Sequence, residues 1–147
     1  MPVKVSLSSI QFHFLHSNAG LRDRQKLKAF IIAIFKKEGT SLNTLTYIFC
    51  SDSYLLKINQ QFLQHNYYTD IVSFNLAARN AAIEGEIYIS LDRVRENALD
   101  LNQYYYRELH RVIFHGALHL CGYKDKTVSE IAIMRNKEEY YLKLYLK

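Results

Sequence analysis

The chain has 147 residues, of which 49% are hydrophobic and one is proline (Pro2), so it has the length and composition of one domain that buries a core and not of a disordered segment. Its longest uninterrupted apolar run, Ala29 to Phe35, is too short to cross a bilayer, and Cys50 and Cys121 lack the paired spacing of a disulfide framework. Lysine and arginine number 19 against 14 acidic residues, a net charge of +5 that suits a polyanionic partner and no membrane.

In chain order, the start MPVKVSLSSIQFHF alternates at Val3, Val5 and Leu7, then at Ile10, Phe12 and Phe14, which predicts one long or two short strands and no secretory leader. A soluble cytoplasmic protein is expected. Leu21 to Lys37 places Leu27, Phe30, Ile31 and Ile34 on one helical face. The stretch from Gly20 to Glu38 carries Arg22, Arg24, Lys26, Lys28, Lys36 and Lys37 against Asp23 and Glu38, a basic stripe of the kind that binds phosphates and also of the kind that only meets solvent. A strand is expected at Thr44 to Cys50, followed by a helix that Ser51 opens, with Leu55, Ile58 and Phe62 pointing inward. DIVSFNL (Asp70 to Leu76) and GEIYIS (Gly85 to Ser90) read as two more strands. Ser90 or Asp92 caps a short helix, and Asn102 precedes a longer one that ends near Cys121, where Gly122 suits the left-handed terminating position. Thr127 and Glu130 form the capping box of a last helix. The expectation is a single α+β domain over residues 1–147, with helices packed on a small mixed sheet.

The stretch FHGALHLCGYKDK, Phe114 to Lys126, carries the chemistry. Residues four apart on an α-helix differ by about 40° in direction and about 6 Å in height, so His115 and His119 project from one face, whereas His110 lies on another. A helix stop at Gly122 lets the chain double back and return Asp125 to the same point. Two imidazole nitrogens and one carboxylate oxygen would hold a divalent ion, zinc being the first choice, and leave a fourth tetrahedral position for water; the alternative is a partly buried histidine pair on a helix that ends in a charged turn. The spacing H-x-x-x-H-x-x-G-x-x-D parallels that of zinc peptidases, but Gly116 stands where those enzymes carry a glutamate base, so peptide hydrolysis is disfavoured.

HGALHLCGY, together with INQQFLQHNYYTDIVSF (Ile58 to Phe74) and GEIYIS, resembles the YbeY family of bacterial metal-dependent endoribonucleases. The resemblance covers the central half of the chain. It implies a zincin-like α+β fold and a single-strand endoribonuclease of ribosomal RNA maturation and ribosome quality control, whose partners are the small ribosomal subunit and its assembly factors. His115, His119 and Asp125 take the positions of the family's three metal ligands, with Asp125 in place of the usual histidine. A carboxylate there lowers the charge of the site by one and makes harder ions such as manganese more competitive. Leu63 stands where the family carries an arginine, which leaves substrate phosphate to other cations: Lys124 and Lys126 beside the cluster, and Lys26 and Lys28 on the basic helix. Thr69 and Asp70 match the family's T-D pair and read as a strand-entry cap or as a carboxylate orienting a metal-bound histidine or RNA. Glu84 and Glu86 are open as bases, and Tyr104 to Tyr106 as stacking or packing residues. The alternatives are a ribosome-associated RNA-binding module without strong catalysis, and a metallohydrolase acting on peptides.

Overall fold

In the computed structural model, which describes residues 5–15, 19–67 and 69–147, the first alternating stretch forms a strand over Ile10–Phe14 (β1). Leu7 belongs instead to a 3-10 turn, Leu7–Ser9, and Val3 lies outside the described residues. Helix α1 (Arg24–Lys37) leads to strand β2 (Leu42–Cys50), then to helix α2 (Asp52–Leu63). Strands β3 (Ile71–Asn75) and β4 (Ile83–Ser90) follow, and helices α3 (Leu91–Asp100), α4 (Tyr105–Leu120) and α5 (Val128–Tyr145) close the chain. The sheet has the order β1-β2-β4-β3; β1 and β4 run parallel to β2, and β3 runs antiparallel to β4. This is the mixed α+β architecture expected.

Helix boundaries follow local hydrogen bonding. Ser51 Oγ accepts from Tyr54 N and Ser90 Oγ from Arg93 N, each at 3.2 Å, so hydroxyls satisfy first-turn donors of α2 and α3. Thr127 and Glu130 form the reciprocal box at α5, with bonds of 3.1 and 2.9 Å. Asn102 does not open α4 as expected. It takes a left-handed conformation (φ 52°) and donates its N–H to Leu99 O, closing α3, because asparagine tolerates that region better than most residues. Helix α4 therefore starts three residues later than Asn102.

One face of the sheet supplies Ile10, Leu45, Tyr47, Phe49, Ile87 and Ile89 to the main core. Leu27, Ile31 and Ile34 of α1 pack there, as do Leu109, Val112, Ile113 and Phe114 of α4 and Met134, Tyr141 and Leu142 of α5. A smaller cluster, Cys50, Leu55, Ile58 and Val72, lies under α2. Phe62 does not point inward as its periodicity predicts; it is 64% exposed. Its ring meets Phe74 of β3 edge-on, and β3 is the edge strand of the sheet, so no further strand among the described residues covers the end of α2.

Gly116 sets how closely α4 lies on the sheet. A Cβ there would sit 2.9 Å from both Ile71 Cδ1 and Ile87 Cδ1, and 3.0 Å from Ile87 Cγ2. The β-branched Ile87 side chain has little freedom to yield. Gly116→Ala should therefore destabilise the protein by about 1–3 kcal/mol, as overpacking does. Denaturant unfolding checks this, and a variant as stable as the wild type would show that the sheet yields freely.

Candidate metal centre

His115 and His119 sit on the last two turns of α4. The helix stops as the glycine dictates: Gly122 has φ +104°, its N–H reaches His119 O at 3.0 Å, and Tyr123 N–H reaches Leu118 O at 3.1 Å. Tyr123 then anchors the turn on the end of α1 by donating its hydroxyl to Glu38 Oε1 at 2.6 Å. Glu38 also accepts from Tyr141 and from Lys137. Burial acts to raise its pKa, but these hydrogen bonds outweigh burial and hold the carboxyl below its ordinary value. So pinned, the turn returns Asp125 to the histidines.

Asp125 Oδ2 lies 3.2 Å from His115 Nε2 and 3.3 Å from His119 Nε2. One donor atom from each of the three residues lies within 4.8 Å of the other two. Two atoms placed tetrahedrally around one ion at about 2.0–2.1 Å would be about 3.3–3.4 Å apart, so the two distances from Asp125 to the histidines suit one small divalent ion.

The donor chemistry points the same way. His115 Nδ1 lies 2.6 Å from Glu138 Oε2, and Glu138 is 1% exposed. Burial by itself would raise the Glu138 pKa; the His115 hydrogen bond and the charges of Arg111 and Arg135 outweigh it and hold the carboxyl below its usual range. An ionised carboxylate only accepts, so Nδ1 carries a proton and donates to Glu138, which leaves Nε2 as the ring nitrogen turned towards Asp125. The bond to Glu138 is also the support that metal-binding imidazoles ordinarily have behind them.

Behind the cluster stands a buried ion network. Glu138 Oε1 accepts from Arg111 Nη1 and from Arg135 Nη1, both at 3.1 Å. Arg111 grips the buried Glu108 with its remaining edge, Nε at 2.8 Å and Nη2 at 2.7 Å. Burial opposes the Arg111 charge, but these two carboxylates outweigh it and raise its pKa. Asp70 Oδ2 accepts from Asn97 at 3.1 Å and lies 3.8 Å from Arg111 Nη2. Asp70, Glu108 and Glu138 thus converge on Arg111, and Glu138 also on Arg135.

A cleft of about 330 Å³ opens on this cluster, lined by His115, His119 and Asp125 and by Thr69, Asp70, Ser73, Arg111 and Arg135. Asp70 lines the cleft, and the carboxylate hydrogen-bonded to His115 is Glu138. Lys124 and Lys126 lie outside the cleft lining. Lys26 Nζ sits 4.7 Å from the Tyr145 ring centre and Lys28 Nζ 5.6 Å from that of Phe12. Tyr145 stacks on His110, nine residues and so about 14 Å along α4 from His119. Leu63 and Glu84 and Glu86 also lie outside the lining. Glu84 accepts from Asn43 and Glu86 from Tyr88. His110 is buried on another face of α4, with Nδ1 bonded to Tyr106 O at 2.7 Å. Of the three tyrosines, Tyr104 is 86% exposed, while Tyr105 bonds Ala19 O and Tyr106 packs on His110.

Arg111, Arg135 and Glu138 are the site residues that sequence reasoning misses. A partial signal is present: Glu108, Arg111, His115 and His119 recur at intervals of three and four, a polar stripe on an otherwise apolar helix. Nothing comparable marks α5, where Glu138 looks like one of several surface acids.

Comparison with known proteins gives one result throughout. A family profile described as "Endoribonuclease YbeY" matches residues 15–145. A Cytophaga hutchinsonii protein named Endoribonuclease YbeY is 50% identical over 124 residues, 84% of this chain and 87% of that protein. A Flavobacterium psychrophilum protein of the same name is 44% identical over 125 residues, 85% of this chain and 89% of that one. The solution structure of TM1509 from Thermotoga maritima superposes with a TM-score of 0.65 at 28% identity, covering 92% of this chain and 88% of that one.

Proposed function

The chain belongs to the YbeY endoribonuclease family, and on that premise we propose that it is a metal-dependent endoribonuclease that cuts single-stranded ribosomal RNA during ribosome maturation and quality control. The observation that carries this reading is the convergence of His115, His119 and Asp125 at the floor of a cleft flanked by two guanidiniums. These three side chains would hold one divalent ion, zinc by donor set and spacing, with manganese as competitor. When bound, such an ion supplies Lewis-acid polarisation of a phosphoryl oxygen and activation of water. The protein's part is positional. Glu138 fixes the tautomer and ring orientation of His115, Glu38 and Tyr123 hold the turn that presents Asp125, and Arg111 ties Glu138 to Glu108.

The small ribosomal subunit is the proposed setting and the cytoplasm the proposed compartment; among the described residues no helix is long and apolar enough to cross a membrane. Lys26 and Lys28, remote from the cluster, contribute attraction to the RNA backbone in this reading and not chemistry. Peptide hydrolysis has no support, since Gly116 offers no base and its position is packed against Ile71 and Ile87.

The test is cleavage of a labelled single-stranded ribosomal RNA fragment and of its duplex by protein of measured metal content. One ion per chain, cleavage of the single strand, loss with chelator and recovery with zinc are expected. Metal-loaded protein that cuts no RNA would refute the enzyme reading. In the same assay, Lys26→Glu with Lys28→Glu should flatten the dependence of log affinity on log salt by roughly 1–2. An unchanged slope would leave those lysines as ordinary solvated residues.

A further inference from the structure

Arg111 and Arg135 both line the cleft, but they are not equivalent. Arg111 has a side chain only 14% exposed, and its Nε and both Nη atoms are committed to Glu108 and Glu138. It is a strut. Arg135 is 55% exposed and makes one hydrogen bond among the described residues, from Nη1 to Glu138 Oε1. That bond leaves Nε and Nη2 as donors with no described partner, on a side chain that walls the same cleft as His115, His119 and Asp125.

Arg135 also lines a second cleft of about 340 Å³, whose walls include Gln103, Arg107 and Glu108. The guanidinium therefore borders both the cleft of the metal cluster and a neighbouring groove. A single strand has charge at every nucleotide, so one running from one cleft to the other passes a phosphate by the guanidinium. At that point the remaining donors present the planar geometry that grips phosphate oxygens two at a time.

We propose that Arg135 is the phosphate-binding arginine of this protein, holding the RNA backbone beside the His115, His119 and Asp125 cluster and doing from α5 what Leu63 on α2 cannot do. The inference rests on the nuclease reading and extends it to a residue and a path. Glu138 gives the arrangement its precision. One carboxylate binds His115 through Oε2 and Arg135 through Oε1, so imidazole and guanidinium are set in fixed relation by a buried group. Substrate recognition and metal ligation then share a single brace.

The experiment compares wild type, Arg135→Ala and Arg135→Lys, each with metal content measured, on single-stranded RNA. Arg135→Ala should lower kcat/KM ~10- to 100-fold, the range of a charge-assisted two-point contact, and flatten the salt slope of RNA affinity by about 0.7. Metal content should stay at one ion per chain. Arg135→Lys should restore the salt slope but only part of kcat/KM, because a point charge replaces a fork. Unchanged kcat/KM and salt slope in Arg135→Ala would overturn the proposal. So would a loss of activity that follows loss of metal with the slope intact, since Arg135 would then act only by bracing Glu138. If wild type itself neither binds nor cuts RNA, the nuclease reading fails first and this inference falls with it.

Discussion

Replacing Glu138 with alanine should destabilise the protein by about 3–5 kcal/mol, the cost of stripping one partner from a buried ion network. The reason is local and severe. Arg111, 14% exposed, would keep Glu108 but lose its second carboxylate, and His115 Nδ1 would lose its acceptor inside the protein. Released from that bond, the imidazole can adopt either tautomer, and metal affinity should fall ~10- to 100-fold. Glu139, the next residue, provides the control. It pairs with Arg107 at 2.6 Å but is half exposed, so Glu139→Ala should cost less than about 1 kcal/mol and leave metal affinity alone. Denaturant unfolding and competition with a chromogenic chelator measure both quantities. Equal behaviour of the two variants would mean that the buried network does not organise the site.

His119→Ala should abolish cleavage with little change in fold. His119 is part-exposed at the end of α4, and its reactive edge faces Asp125 and not the core, so stability should change by less than about 1 kcal/mol. The chemistry lost with the ion is worth several kcal/mol of barrier, so kcat/KM should drop ~10³-fold or more. Elemental analysis of the variant should find no stoichiometric metal. Full metal occupancy would show that the ion, if any, sits elsewhere. Asp125→His provides the converse arm: a neutral imidazole in place of the carboxylate should keep the metal but shift selectivity from manganese towards zinc, read by competition between the two ions.

The basic helix shows why composition and site are different kinds of information. Arg22, Arg24, Lys26 and Lys28 stand out as a charge run, yet each lies over an aromatic ring, of Tyr106, Phe14, Tyr145 and Phe12 respectively. The cations that line the cleft of the cluster are Arg111 and Arg135, and both are held there by the buried Glu138.

Much of the architecture is legible in the sequence because it depends on near neighbours along the chain. The hydroxyls of Ser51, Ser90 and Thr127 cap the helices that follow them, apolar periodicity locates α1, and four-residue spacing with a glycine stop brings His115, His119 and Asp125 together within a single short segment. Short separations leave the chain few ways to arrange such groups, so spacing and backbone geometry suffice. Glu138 lies 23 residues beyond His115 on another helix, and Arg135 enters the cleft only because α5 packs back across α4. The exposure of Phe62 likewise depends on where the sheet ends. A contact between distant segments is decided by how whole elements pack. Whether an acid becomes a buried brace or a solvated surface residue depends on what the rest of the chain places around it, so no local pattern distinguishes Glu138 from Glu139.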